Sequence, residues 1–170
     1  MLQTRALILK REIILTISKF ILILGLAIFA PIIGMQSVTG IMVNALLFIG
    51  TVVLGVRGAM LIAIVPSIVS LSIGFLPMVL APMVPFIIAG NIILILSFNW
   101  ICRKSFWYGI ITASIAKSAF LYGTSFLVTS LILKSEIANK AASIMGYPQL
   151  LTALAGGVVA FLFLKMIKRI

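Results

Sequence analysis

The chain has 170 residues, 64% of them hydrophobic, with a mean hydropathy of +1.37. Thirteen Lys and Arg stand against two acids, Glu12 and Glu136, giving a formal net charge of +11, and there is no histidine. This balance excludes an ordinary soluble core. It also excludes a nucleic-acid surface, because the basic residues flank apolar runs and form no patch interleaved with aromatics.

Apolar runs close to the roughly 20 residues of a spanning helix recur along the chain. No Ser-, Gly- or charge-rich linker divides it, so residues 1–170 read as a single membrane domain. The expected fold is all-α and integral to the membrane, with six transmembrane helices. The first span is about Ile13–Ile33. Its basic head and its Ala27-Ile28-Phe29-Ala30 end resemble a signal peptide, but the stretch exceeds a signal core of roughly 7–15 residues, so a retained span is expected. Lys19 is near its inner end and can reach the interface along its own stem.

Gly34–Gly40 reads as an uncharged outer loop carrying Gln36, Ser37 and Thr39. Span two is about Ile41–Val56, with Asn44 near its outer start. Arg57-Gly58 breaks the chain before span three, about Ala59–Ile73. Gly74–Pro85 is apolar but rich in breakers, and two readings stand side by side. It is a re-entrant segment between spans three and four, covering a pocket, or a plain apolar loop at the interface. Span four is about Met83–Ile101, with Asn91 at mid-depth. Span five is about Trp107–Leu133, and span six, about Pro148–Ile167, opens with Gln149 and Thr152 on one face.

Charge sets the orientation. Arg5, Lys10 and Arg11 precede span one, Arg57 follows span two, Arg103 and Lys104 follow span four, and Lys165, Lys168 and Arg169 end the chain. Six spans put all of these on one side. The other side holds only Lys134 and Lys140, against Glu136. The positive-inside rule then places both termini in the cytoplasm.

Lys117 is the exception to this pattern. It lies about ten residues inside span five, on the order of 15 Å from the cytoplasmic edge. A charge there costs at least about 2.5–3.5 kcal/mol unless it is solvated or paired. No acid lies within an apolar run to pair with it. Ser114, Lys117, Ser118, Tyr122, Thr124, Ser125 and Thr129 share an arc of roughly 160° on the helix. The alternative is that these hydroxyls bond back to their own helix carbonyls and that Lys117 is neutral or water-linked between helices. The common arc favours a lined cavity. The expected substrate-binding residues are Lys117 as anchor, with Asn91, Tyr122, Ser118, Ser125, Gln149, Asn44 and Gln36. They would form a pocket open to the outside, built from the outer halves of spans four to six under the first and third outer loops. In span six, Ala153, Gly156 and Ala160, with Gly157 beside them, form a seam that lets helices approach closely.

No GxxxxGK[ST], HExxH, GxSxG or paired carboxylates occur, and no Cys/His cluster, Cys102 being the only cysteine. Neither an enzyme nor a resident cofactor or metal is expected.

Gln36-Ser-Val-Thr-Gly-Ile-Met-Val-Asn44, Leu54-Gly-Val-Arg-Gly58, Pro82-Met-Val-Pro-Phe86 running into Gly90-Asn91, and Tyr147-Pro-Gln-Leu-Leu-Thr-Ala-Leu-Ala-Gly-Gly157 resemble the substrate-binding S component of energy-coupling factor (ECF) transporters. The resemblance covers most of the chain. It implies a six-helix subunit of a prokaryotic plasma membrane that captures a vitamin or related micronutrient from outside. Such a subunit docks on one transmembrane coupling protein and two ATPase subunits, which supply the energy. The small-residue AxxxA pair that many members carry in span one is replaced here by Thr16-Ile-Ser-Lys-Phe20. The alternatives are a self-sufficient small-molecule facilitator or channel with Lys117 on its path, and a structural membrane protein that binds no ligand. A carboxylate- or phosphate-bearing ligand suits Lys117, and a neutral heterocycle stacked on Tyr122 or Tyr147 is also compatible.

Overall fold

Large apolar side chains cover much of the outer surface, and several polar ones are buried within an apolar core. Leu22, Phe29, Phe126 and Met166 are 64–73% exposed, whereas Asn44, Thr51, Asn91, Ser114, Lys117 and Ser125 are buried. A computed structural model describes residues 2–74, 78–132 and 146–170, with backbone alone at 2–8, 78–80 and 129–132. The fold is all-helical, and no strand occurs among the described residues. Five stretches are long and apolar enough to cross a membrane: Leu9–Ile33, Gln36–Ser72, Ala81–Ile101, Phe106–Val128 and Tyr147–Met166. In lipid every backbone N–H and C=O must find a partner within the chain, and the helix provides that even for a sequence rich in Ile and Val.

Helix α1 (Leu2–Phe29) tightens into a 3-10 turn, Ala30–Ile33, and ends at Gly34, whose φ of 71° suits glycine. Helix α2 is Gln36–Ser72; α3, Val84–Ile101, follows a 3-10 turn at Met78–Met83. Helices α4 (Phe106–Ile132) and α5 (Tyr147–Met166) follow among the described residues. Proline opens α3 and α5 at a first-turn position where its missing N–H costs nothing.

Helix α2 has 37 residues and would be about 55 Å long if straight. It folds back at Gly55, whose φ of 77° and ψ of 174° are available to glycine alone. A Cβ on Gly50 would lie only 3.8 Å from the Cα of Ala59. Nine residues of straight helix would separate them by roughly 13 Å. The two arms, residues 36–54 and 56–72, are therefore antiparallel neighbours. They cover the residues expected as spans two and three, within one apolar stretch long enough to cross a membrane, and the reversal falls at Gly55, two residues before Arg57. The first arm starts earlier than expected. Gln36, Ser37 and Thr39 belong to its first turn and not to a loop, and Thr39 Oγ1 donates to the Ala30 carbonyl at 3.1 Å.

Helix α2 packs against α1, α3 and α5, while α4 packs against α3 and α5. The α2–α5 seam is tight because Gly156 has no side chain. A Cβ there would meet Asn44 Cβ, Ala45 N and Ile41 O, each at 2.8 Å. The core continues toward the Gly55 turn as an edge-to-face series, Phe48 to Phe98 at 4.8 Å and Phe98 to Phe106 at 5.3 Å between ring centroids. Exposed Trp100, Trp107 and Tyr108 flank exposed Arg103 and Lys104 at that end.

Within Gly74–Pro85, Val84 and Pro85 belong to α3, and Met83 is buried. Lys134, Glu136, Asn139 and Lys140, the charged and polar groups of the third outer loop, lie outside the described residues, as does the Thr129 side chain.

Candidate functional site

Three helices deliver one buried polar cluster. Asn44 comes from the first arm of α2, Asn91 from α3 and Lys117 from α4. Lys117 is 3% exposed. Its Nζ donates to Asn44 Oδ1 at 2.6 Å and to Asn91 Oδ1 at 2.7 Å. Both distances suit charge-assisted bonds. Glu12, the one acid among the described residues, is exposed on the early part of α1 and does not reach this cluster.

Lysine dictates the orientation of the two amides. When protonated it has donors only, so each asparagine turns its oxygen toward Nζ. Each Nδ2 is then left with two N–H groups and, among the described residues, no protein acceptor. The third N–H of an ammonium is in the same position.

The cluster forms the floor of a cleft of about 150 Å³. Pro31, Gln36, Thr39, Gly40, Val43 and Asn44 line one wall, and Pro66, Ser67 and Ser70 of the second α2 arm line another. Ile87, Asn91, Lys117 and Gln149 close it. The cleft faces the end of the bundle where α1 meets α2 and where α5 begins. On the opposite side of the cluster, toward the Gly55 turn, lies the Phe48–Phe98–Phe106 series.

Of the eight residues expected from the sequence, Lys117, Asn44, Asn91, Gln36 and Gln149 come together in this cleft. Tyr122, Ser118 and Ser125 do not line it. Tyr122 is 63% exposed on the outer surface of α4, and Tyr147 is 71% exposed, so neither offers a ring to a ligand in the cleft. Ser125 Oγ donates to the Tyr122 carbonyl at 2.8 Å, and Thr124 Oγ1 to that of Phe120 at 2.8 Å. Hydroxyls satisfied along their own helix need not face a cavity. The buried face of α4 is set by packing: Leu121 fits against Gly90 of α3, and Ile110 against Gly157 of α5. Ser114 Oγ and Ser118 Oγ are buried with no hydrogen-bond partner among the described residues.

The balance of the cleft differs from the expected one. The two arms of α2 contribute most of the lining, and α3, α4 and α5 contribute little beyond the anchor groups. Val43, Pro66, Ser67 and Ser70 were missed from the sequence. A signal for three of them exists: residues 66, 67 and 70 share one helical face that joins a mid-helix proline to two hydroxyls in an otherwise apolar run. Ser70 Oγ donates to the Pro66 carbonyl at 2.7 Å. Comparison with protein-family models, with curated proteins and with solved structures finds no match.

Proposed function

We propose that this chain is the membrane-embedded substrate-capture subunit of an importer for a small solute, energised by separate coupling and ATPase subunits. This is the role that the resemblance to ECF S components implies. The observation that carries the reading is the donor-rich cluster of Lys117, Asn44 and Asn91 at the floor of a cleft. A buried lysine without an acid is costly in a bilayer, and such groups mark solute paths. The Phe48–Phe98–Phe106 series on the far side of the cluster favours a one-sided receptor over a channel.

The proposed topology has six spans, with the two arms of α2 counted separately and both termini in the cytoplasm of a prokaryotic cell. Its support is that the Gly55 turn, Arg57, Arg103, Lys104, Lys165 and Lys168 then fall at one end, with the cleft opening at the other. The 170 residues carry no P-loop, and the apolar runs carry no acid to couple proton or sodium flow. On this reading the chain binds its solute but does not concentrate it.

The test has two arms. Mass spectrometry of the protein purified in detergent should find a small molecule retained from the cell at close to one per chain. Vesicles holding this chain alone should then bind that molecule without accumulating it. Accumulation driven by a proton or sodium gradient would refute the proposal.

A further inference from the structure

We infer that the cleft selects a compact monocarboxylate, its head seated on Lys117 Nζ and on the Nδ2 groups of Asn44 and Asn91. This rests on reading the cleft as a solute-capture site and names the chemistry it takes.

The first argument is the sign of the hydrogen-bonding groups. Both asparagine oxygens accept from Lys117, at 2.6 and 2.7 Å, which engages one lone pair of each. What the cluster still offers is mostly donors, the third N–H of a protonated Lys117 and the four amide N–H groups, against one remaining lone pair on each Oδ1. A ligand head made of acceptors satisfies those donors. A head that must donate finds only the second lone pairs of two oxygens already bonded to Lys117.

The second argument is charge. Lys117 Nζ is buried and no described acid approaches it, so a protonated Lys117 needs an anion as its counter-charge. A monoanion brings the site to neutrality, which is what a low-dielectric interior favours. A dianion such as phosphate or a dicarboxylate leaves one negative charge uncompensated. A cationic head puts two like charges together. A neutral amide leaves the ammonium without a counter-charge.

The third argument is shape. A carboxylate has two coplanar oxygens with about four acceptor positions. One oxygen can face Nζ while the other takes the amides. The cleft volume of about 150 Å³ matches a cavity known to hold a benzene ring. Pro31, Val43, Pro66 and Ile87 give the body of such a ligand apolar walls. A single ring or a short chain fits this space, and a large polyanion does not.

The test uses the full chain in detergent micelles, with isothermal titration and the shift of unfolding temperature as readouts. The probes are benzoate and butyrate, then benzamide, benzylamine, succinate and inorganic phosphate. One or both monocarboxylates should bind at least tenfold more tightly than benzamide, and succinate and phosphate should bind more weakly still. Lys117→Met should weaken the carboxylate by about ten- to a hundredfold, the loss of one charged hydrogen bond. Lys117→Met also controls for partition into the micelle. Asn91→Asp gives Lys117 an internal carboxylate. This variant should remain folded, with an unfolding temperature at or above that of the wild type, yet lose carboxylate binding to a similar extent. Should the methionine variant fail to fold, Asn91→Asp decides the matter alone. Full benzoate affinity in Asn91→Asp overturns the inference, as does preference for succinate or phosphate. Equal binding of benzamide and benzoate overturns the carboxylate but leaves solute capture standing. Silence across the six probes also overturns the carboxylate, and the molecule retained through purification then judges the capture reading separately.

Discussion

Replacing Gly156 with alanine should force α5 away from α2 and pull apart the cluster at Lys117. The new Cβ would lie 2.8 Å from Ala45 N, Ile41 O and Asn44 Cβ, where ordinary contact begins near 3.4 Å. Two of these three atoms are backbone, so no rotamer change relieves the clash. The helices must part by about 0.6 Å, or α2 must bend. Overpacking of this kind costs about 1–3 kcal/mol. Alanine also favours a helix over glycine by about 0.5–1 kcal/mol, which offsets part of that cost. Gly123→Ala supplies the control. Gly123 lies in α4, is exposed, and has nothing within 4 Å of a Cβ built there. The propensity gain is common to both variants, so the difference between them isolates the steric cost. Reversible unfolding in mixed detergent and dodecyl sulfate micelles measures it. Gly123→Ala should be slightly more stable than the wild type, and Gly156→Ala less stable than Gly123→Ala by about 1–3 kcal/mol. Because Asn44 is one of the displaced groups, Gly156→Ala should also lose affinity for any solute bound in the cleft. Equal stability of the two variants, with binding intact, would refute the close α2–α5 seam and the role given to Gly156.

Gly55→Ala should destabilise the protein by about 1–3 kcal/mol in the same assay, because φ 77° and ψ 174° are closed to a residue with a Cβ; wild-type stability would mean that the turn of α2 is elsewhere. An impermeant thiol reagent added from outside intact cells should label Ser37→Cys and should not label Cys102, and labelling of Ser37→Cys only after permeabilisation would reverse the proposed orientation. Burial raises the Cys102 thiol above its ordinary value, with Arg103 opposing. Its alkylation in purified protein should therefore be slow at neutral pH and should quicken as pH rises; a rate independent of pH between 7 and 9 would contradict the burial.

The membrane class and the candidate anchor were legible in the chain itself. Apolar runs of spanning length, basic residues confined to their breaks, and a lysine far from either break are local properties that need no partner to be recognised. The polar residues Asn44, Asn91, Gln36 and Gln149 were legible for the same reason, since a polar side chain in an apolar run needs a partner somewhere. Tertiary structure decided which partner each one has. Lys117 meets Asn44 and Asn91 across sequence separations of 73 and 26 residues, and no periodicity within α4 encodes that. Part of the polar arc of α4 does not line the cleft, for a physical reason. Hydroxyls such as Ser125 and Thr124 are satisfied by their own helix carbonyls, so their side of the helix says little about where a cavity lies. The rotation of α4 is fixed instead by Gly90 against Leu121 and Gly157 against Ile110, close approaches that exist only once the helices are packed. The reversal of α2 has the same character. Leu54-Gly-Val-Arg-Gly58 marks a break in the sequence, but only the positive φ at Gly55 brings Pro66, Ser67 and Ser70 back across from Val43 and Asn44 to make a cleft.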